Sequence, residues 1–500
     1  MDVSAAVNPF GDPVDRDFLD DIEKRTDFWN RKPQLQYIAH RAAREEVSPW
    51  GLLLAVQIHR LSAVPPNVVL VKRDGTPGTG LVSGTSLNMF GSLVADTGGG
   101  KSVVFRESQD VMPPASRPIS DGTGQGLIKS IAETEKVTKG QDDKRLAQPF
   151  YRLRFYRHSL VLHAPEVKTL NAEFSREGSK TDSLMRQLWS GEVAGMTTGD
   201  PDRRVNLPPN MYRIAGLWGV QPVNATAILA GAEDGTPQRW IWAPAEEYRR
   251  GARTPSRIAP NGPVTFPLPV WNPGANVYGT SGGGLPTELA DDDPLPAPIW
   301  VGWSPQMTQD IAYLKQQRDN LRDRDPYAII TPEMRDSEHR STMESHLLLT
   351  RIKLAAVIGT LWGHASPDDE DWALSEVQME VSKRELAGVW QRCAEARSQE
   401  ILTRGVERGA EMHAASTQRN KMDDHDVYDL AEHLWKCLAE SPMSNRALRN
   451  RLSNSRRKQM TPALDLLESQ NRVHLDSNKL YWALMGGLPL PPHMAAQYRP

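Results

Sequence analysis

Residues 95–102 read Ala-Asp-Thr-Gly-Gly-Gly-Lys-Ser, and they restrict the fold more than any other stretch of the chain. Three consecutive glycines let a backbone curl until successive N–H groups face one point. Residues 87–94 before them read as a buried strand, and residues 101–108 after them as a helix. Strand, glycine loop, Lys-Ser and helix in that order make a cradle for phosphate. The N–H groups of Gly98, Gly99 and Gly100 would meet phosphate oxygens, and the positive helix end would add to the field. Lys101 would reach the β and γ phosphates, and Ser102 would ligate Mg²⁺. Ala95, where the pattern usually has glycine, keeps a small side chain, and Thr97 completes the loop. The expected ligand is ATP with Mg²⁺.

The surroundings of the loop predict an α/β protein. Residues 17–63 carry apolar positions at helical spacing: Leu35, Ile38 and Ala42, then Leu52, Leu53, Val56, Ile58 and Leu61. Ser48-Pro49 suits a helix start, and Pro65-Pro66 a stop. Residues 68–71, 159–163, 212–219 and 239–243 read as further buried strands, alternating with helical stretches in a three-layer core. Residues 75–84 form a Gly/Thr/Pro turn segment. Residues 254–299 are rich in proline and glycine and read as a long surface excursion, with a hairpin at 264–270. Helical patterns return at 340–363 and 370–395, and 396–424 reads as a polar helix ending in a linker. The expected organisation is an N-terminal helical region at 1–66, a core at 67–304, a helical lid and linker at 305–424, a small domain at 425–485 and a tail at 486–500.

Composition excludes several classes. At 500 residues the chain exceeds a single simple core. With 39% hydrophobic and 24% charged residues it reads as an ordinary globular protein, and the net charge of −3 confines any nucleic-acid contact to local basic patches. Cys393 and Cys437 make neither a disulfide framework nor a zinc site, so a reducing, cytoplasmic setting is expected. No run approaches the roughly 18 apolar residues of a membrane span. The N-terminus lacks a basic segment followed by an apolar one, so no secretory leader is expected.

A phosphate loop needs a carboxylate to hold Mg²⁺ or polarise water. Glu166 follows the apolar strand 159–163, on the edge of an open sheet where ligands bind. It also fits a helix start after Pro165. Gln221 closes the strand 212–219 and suits either a γ-phosphate sensor or a strand-end turn. Arg239 precedes the strand 240–243 and suits a phosphate contact, in its own site or a neighbour's, or a solvated loop. The doublets Arg203-Arg204 and Arg249-Arg250 read as solvated surface. Glu23, Glu45, Glu46 and the scattered histidines show no metal spacing and read as structural.

The C-terminal pattern is three helices, at 427–440, 444–452 and 456–470, then a hairpin at 473–475 and 480–483. That order is a winged helix-turn-helix. Arg449, Arg456, Arg457, Lys458, Arg472 and Lys479 give it a local basic excess suited to DNA, with Arg456-Arg457-Lys458 opening the recognition helix. Such a module equally packs on other protein.

The order of motifs resembles a family of RecA-like P-loop ATPases carried by actinobacterial plasmids, phages and integrated elements, associated with helicases and primases. The likeness runs over about residues 35–390. It is carried by Ser48-Pro-Trp-Gly, Ala63-Val-Pro-Pro-Asn-Val-Val-Leu70, Ser86-Leu-Asn-Met-Phe to Lys101-Ser102, and Gly122-Thr-Gly-Gln-Gly-Leu127. Then come Ala164-Pro-Glu-Val-Lys-Thr-Leu170, Gly178-Ser179, Leu188-Trp-Ser-Gly-Glu192, Gly219-Val-Gln-Pro222 and Gly235-Thr-Pro-Gln-Arg-Trp240, and last His346 to Ala355 with Asp371-Trp372. The resemblance implies ATP sites shared between subunits of a ring. In it Lys101 and Ser102 contact phosphate and Mg²⁺, Glu166 is the acidic residue of the second ATPase motif, Gln221 is a sensor and Arg239 a trans-acting arginine. The chain departs from the pattern at Gln125, often glutamate in relatives, and at His163-Ala164, where no aspartate precedes Glu166.

The function expected from these features is an ATP-driven, oligomeric DNA helicase or translocase of a mobile element, acting in DNA replication as a homo-oligomeric, hexameric ring on single-stranded DNA. Duplex would be contacted through the winged helix. The departures at Gln125 and Ala164 point instead to a nucleotide-switched initiator or regulator without unwinding. A third reading is an ATP-dependent assembly or defence protein that does not act on DNA.

Overall fold

The computed structural model describes residues 8–71, 84–120, 122–139, 142, 144–175, 180–196, 204–231, 235–249, 255, 257–271, 285–290, 292–322, 332–485 and 488–489. Residues 75–83, Gly178-Ser179, Arg203 and Arg250 lie outside them, as does the tail apart from 488–489. The chain forms two compact units, Met1–Arg397 and Ser398–Pro500. The first is a mixed α/β structure built on a parallel sheet.

Three helices open it: α1 (Arg16–Thr26), α2 (Pro33–Arg44) and α3 (Pro49–Leu61). Pro33 and Pro49 occupy first helical positions, where a missing N–H costs nothing. Every residue of α3 is buried, as expected of a helix apolar on all sides. Its few polar groups are paired within the core: Gln57 and Gln378 exchange amide hydrogen bonds of 2.7 and 2.8 Å.

There follow β1 (Val68–Leu70), β2 (Met89–Val94), α4 (Lys101–Val111) and α5 (Gly124–Lys129). Next come the antiparallel pair β3 (Ala132–Lys139) and β4 (Arg145–Phe155), then β5 (Ser159–Ala164), α6 (Lys168–Ser175) and α7 (Thr181–Ser190). The small pair β6 (Ala194–Met196) and β7 (Val205–Leu207) leads to β8 (Arg213–Val220), α8 (Thr226–Ala230) and β9 (Trp240–Pro244). After β10 (Glu288–Ala290) and β11 (Ile299–Val301), α9 (Pro305–Arg322), α10 (Pro332–Thr360) and α11 (Asp369–Glu440) complete the first unit and lead on.

The central sheet has the order β5-β8-β2-β9, all parallel. Side-chain alternation sets its two faces. Met89 and Leu93 of β2 join Val161, Ala215, Leu217, Ile241 and Ala243 in one core with α1–α4 and α10. Phe90 and Val94 join Leu160, Leu162, Ile214, Trp218, Trp240 and Trp242 in the other, with α5 and α7. A sheet covered on both sides reads as continuous apolar runs, which is how the strands of residues 87–94, 159–163 and 212–219 were legible.

Three expectations are corrected. Residues 264–270 form no hairpin: the prolines at 263, 267 and 269 lack N–H donors, and side chains hold the segment instead. Gln34 donates to the Thr265 carbonyl at 2.9 Å and Arg60 to that of Phe266 at 2.6 Å. Within residues 254–299 the three-residue β10 pairs with β4, and β11, starting at Ile299, pairs with β1. Residues 396–424 contain no linker break: α11 runs unbroken for 72 residues. Gly405 and Gly409 are the only poor helix formers of their kind there, and exposed pairs such as Arg404 with Glu400 support it. Arg249 is not solvated: it is 1% exposed, paired with Glu23, Glu247 and Asp20. That cluster also confirms Glu23 as structural.

In the second unit the end of α11 precedes β12 (Met443–Ser444), α12 (Asn445–Asn450), α13 (Met460–Ser469), β13 (Val473–Leu475) and β14 (Leu480–Met485). Leu430, Leu434 and Leu438 pack with Leu448, Leu464, Leu467, Val473 and Ala483. The three strands pair antiparallel in the order β12-β14-β13. Among the described residues, no helix is long and apolar enough to cross a membrane.

The packing is close where α3 meets β9. A Cβ on Gly51 would lie 2.5 Å from the Pro244 carbonyl oxygen, a backbone atom that cannot step aside. Gly51→Ala is expected to lower stability by roughly 1–3 kcal/mol, seen as a lower urea midpoint at unchanged slope. An unchanged midpoint would contradict this packing.

Candidate functional site

The carboxyl ends of β5, β8, β2 and β9 share one edge of the sheet, and the loop of residues 95–100 leaves β2 there. Gly98 and Gly100 have φ of +81° and +82°, a left-handed conformation that glycine alone adopts readily. At Gly99 the constraint is space: a Cβ would fall 2.6 Å from the Ala95 Cβ. The Ala95 methyl thus occupies the room that Gly99 leaves, which accounts for alanine at the first loop position. Thr97, Gly98 and Ser102 are exposed, and Ser102 lies in the first turn of α4.

Lys101 spans the loop. Its Nζ donates to the carbonyls of Ala95 at 2.6 Å and Asp96 at 2.8 Å. These are neutral acceptors, so its charge is balanced only at longer range. Partial burial pushes its pKa down, while the Asp96 and Glu166 charges oppose that shift. The stem of Lys101 passes over β8, where a Cβ on Gly219 would lie 3.2 Å from its Cδ and 2.1 Å from the Pro165 carbonyl oxygen. Glycine at 219 therefore lets the Pro165-Glu166 segment lie flat on the neighbouring strand, and the Val167 N–H donates to the Gly219 carbonyl at 2.9 Å.

Glu166 is half exposed, with Lys168 3.6 Å away. One strand, β8, separates its strand from β2. The Pro165-Glu166 segment rests on β8, and the Glu166 charge acts on Lys101. Gln221 ends the intervening strand. Its Nε2 donates to the Thr97 Oγ1 at 3.3 Å, and its Oε1 accepts from Asn224 at 2.9 Å. The fold thus brings Thr97, Lys101, Glu166 and Gln221 to one edge. Loop N–H groups and Lys101 can receive an anion there, and Ser102 with Glu166 can hold a divalent cation. The donor set fits a magnesium–phosphate group: hard oxygen ligands beside an exposed glycine loop.

Arg239 does not join them. It precedes β9, whose Trp240 lies level with Phe90 and whose Pro244 lies level with Val94. About six residues of strand, near 20 Å, separate it from its own loop. It is half-buried at the opposite edge, 3.3 Å from the His346 ring and 5.5 Å from the Trp189 ring centroid. Gln125 is exposed on the first turn of α5.

Several neighbours of the loop were not singled out from the sequence. A Cβ on Gly99 would meet the Glu246 Oε2 at 3.0 Å, so this carboxylate also borders the loop. Glu246 follows the buried strand β9, and the strand-end argument that selected Glu166 applies to it equally. Arg392 of α11 lies 3.6 Å from the Asp96 carboxylate. Nothing in the sequence links residues so far apart.

His163, on the strand leading to Glu166, is engaged elsewhere. Its Nε2 lies 2.7 Å from the Nε2 of buried His59, and the rings stack at 4.8 Å. The His59 Nδ1 faces the carbonyls of Ser108 and Met112 at the end of α4 and must donate to them. Its Nε2 then accepts, and His163 donates. Burial pushes both pKa values down, to about 4 for His59 and about 3 for His163. The pair ties α3, α4 and β5 together as neutral rings.

His364, Asp368 and Asp371 form the one group of three potential metal ligands among the described residues, with ligand atoms within 4.8 Å of one another. Buried Asp371 already accepts from Trp362 Nε1, His364 Nδ1 and the Asp368 N–H. Those bonds join the end of α10 to the start of α11, a structural role.

In the second unit Arg449, Arg456, Lys458 and Lys479 are exposed. Arg456–Lys458 form a 3-10 turn ahead of α13 rather than the first turn of that helix. Arg457 folds back: its Nε donates to the carbonyls of Arg449 at 3.0 Å and Leu452 at 3.1 Å. Arg472 pairs with Glu432 and lies 4.9 Å above the Trp435 ring.

No family model and no curated protein matches this chain.

The histidine pair makes stability depend on pH. Both folded pKa values lie below the ordinary histidine value, so the unfolded chain binds more protons between about pH 6.5 and 4. Stability is therefore full above that window and falls as pH drops through it. His163→Gln, which keeps a donor for His59 but removes one titrating ring, should flatten the fall in urea midpoint across this range. A slope equal to that of the wild type would contradict the assignment.

Proposed function

We propose that this chain is a RecA-like P-loop ATPase that drives an oligomeric DNA helicase or translocase of a mobile element, acting in DNA replication. One observation carries the reading: Lys101, Glu166 and Gln221, from three separate strand ends, converge on one glycine loop. Lys101 and the loop N–H groups bind the phosphates of ATP. Ser102 and Glu166 hold Mg²⁺, and Glu166 orients the attacking water. Gln221 links the loop to β8 through Thr97, so a change at the phosphates passes into the sheet.

The position of Arg239 favours a shared site. It lies too far along β9 to serve its own loop, and a ring of subunits is the arrangement in which such an arginine completes a neighbour's site. The second unit is read as a winged helix, with exposed Arg449, Arg456, Lys458 and Lys479 meeting DNA phosphates. Single-stranded DNA occupies the channel of a hexameric ring.

A second reading is a nucleotide-switched initiator or regulator. The engagement of His163 with His59 favours it, because the strand leading to Glu166 then offers no second carboxylate. Turnover slows, and bound ATP acts as a state rather than a fuel.

Lys101→Ala is expected to reduce nucleotide binding or ATP turnover at least 100-fold, measured with and without single-stranded DNA. Unchanged activity sinks the ATPase reading. Strand displacement on forked DNA then separates motor from switch: displacement that needs ATP supports the motor, while DNA-stimulated ATP turnover without displacement supports the switch.

A further inference from the structure

We propose that Arg392 reads the nucleotide state of the phosphate loop, exchanging its pairing with Asp96 for the terminal phosphate of a bound nucleoside triphosphate. This rests on the reading of residues 95–102 as a triphosphate site.

Arg392 reaches the loop from α11, a helix outside the motif. Its Nη1 lies 3.6 Å from the Asp96 Oδ2, with side-chain exposures of 39% and 72%. Ion pairs this open to water are weak, because solvent screens both charges. The pairing therefore positions the guanidinium without locking it. The residue that holds it matters more. The Asp96 carbonyl accepts from Lys101 Nζ at 2.8 Å, so Arg392 is tethered to the same residue that seats the phosphate-contacting lysine. A phosphate group received by Lys101 arrives beside Arg392. Phosphate offers the guanidinium two oxygens in a fork and more charge than one carboxylate.

A buried acidic group also lies near Arg392 on its own helix. The Arg392 charge acts on Tyr248, just beyond β9, whose hydroxyl donates to the Glu385 Oε1 at 2.9 Å. Glu385 is fully buried two turns earlier on α11, and it faces the same way as Arg392. Its Oε2 has no hydrogen-bond partner. A buried carboxylate with one oxygen unsatisfied is costly to keep, and the nearby Arg392 charge offsets part of that cost. A diphosphate lacks the terminal group and leaves Arg392 on Asp96, so the arginine distinguishes the two nucleotides.

Equilibrium titration of the full chain with a non-hydrolysable ATP analogue and with ADP, each with Mg²⁺, tests this. Arg392→Ala should weaken the triphosphate at least 10-fold and the diphosphate less than threefold. Equal weakening of both, or of neither, overturns the proposal. Asp96→Asn removes the competing carboxylate without touching the arginine, and it covers the case in which Arg392→Ala does not fold. It should tighten the triphosphate selectively, and an unchanged or lower triphosphate affinity overturns the proposal. Wild-type protein that binds neither nucleotide refutes the loop assignment itself, a result distinct from either variant's failure.

Discussion

The whole arrangement depends on the burial of β2 on both faces. Met89 and Leu93 face one core and Phe90 and Val94 the other, so the strand can neither rotate nor slip without moving apolar side chains to the wrong side. Its parallel neighbours inherit that register, with Val94 level with Val220 on one side and Pro244 on the other. Every residue just past these levels therefore emerges at one edge. Gln221, Glu166, Glu246 and the glycine loop are neighbours because of strand register, and not because any of them attracts another.

Close backbone approach does the remaining positioning. Gly219 lets the Pro165-Glu166 segment rest on β8, and Gly51 lets α3 rest on the end of β9. Gly99 gives way to the Ala95 methyl. The basic and acidic groups then sit on a rigid frame, with Lys101 held by loop carbonyls rather than by a carboxylate. Its cationic head stays available for an anion while its geometry is already set. Pre-set donors of this kind need little reorganisation when a charge arrives.

Much of this was legible in the sequence, for a physical reason. Buried parallel strands need uninterrupted apolar runs, and a curled loop needs glycine, so residues 87–102 declared both. Glu166 and Gln221 followed from lying one or two residues past such runs. Glu246 likewise lies two residues past β9. The strands β10 and β11 were hidden because each is only three residues long, although Ile299-Trp300-Val301 has strand composition. The continuity of α11 was hidden because an exposed helix of polar residues carries no apolar stripe. Arg392 was out of reach altogether: its meeting with Asp96 is a product of tertiary packing. Arg239 was visible as a residue, but only strand direction shows that it lies at the edge away from the loop.

The central claim is that a nucleoside triphosphate seats at the carboxyl edge of the β5-β8-β2-β9 sheet. Hydrogen–deuterium exchange of the full chain, with and without a magnesium-bound non-hydrolysable ATP analogue, reads that edge directly. The account predicts slowed exchange in peptides covering residues 95–104, with smaller protection around Glu166 and Gln221. Protection elsewhere with no change at residues 95–104 would contradict it.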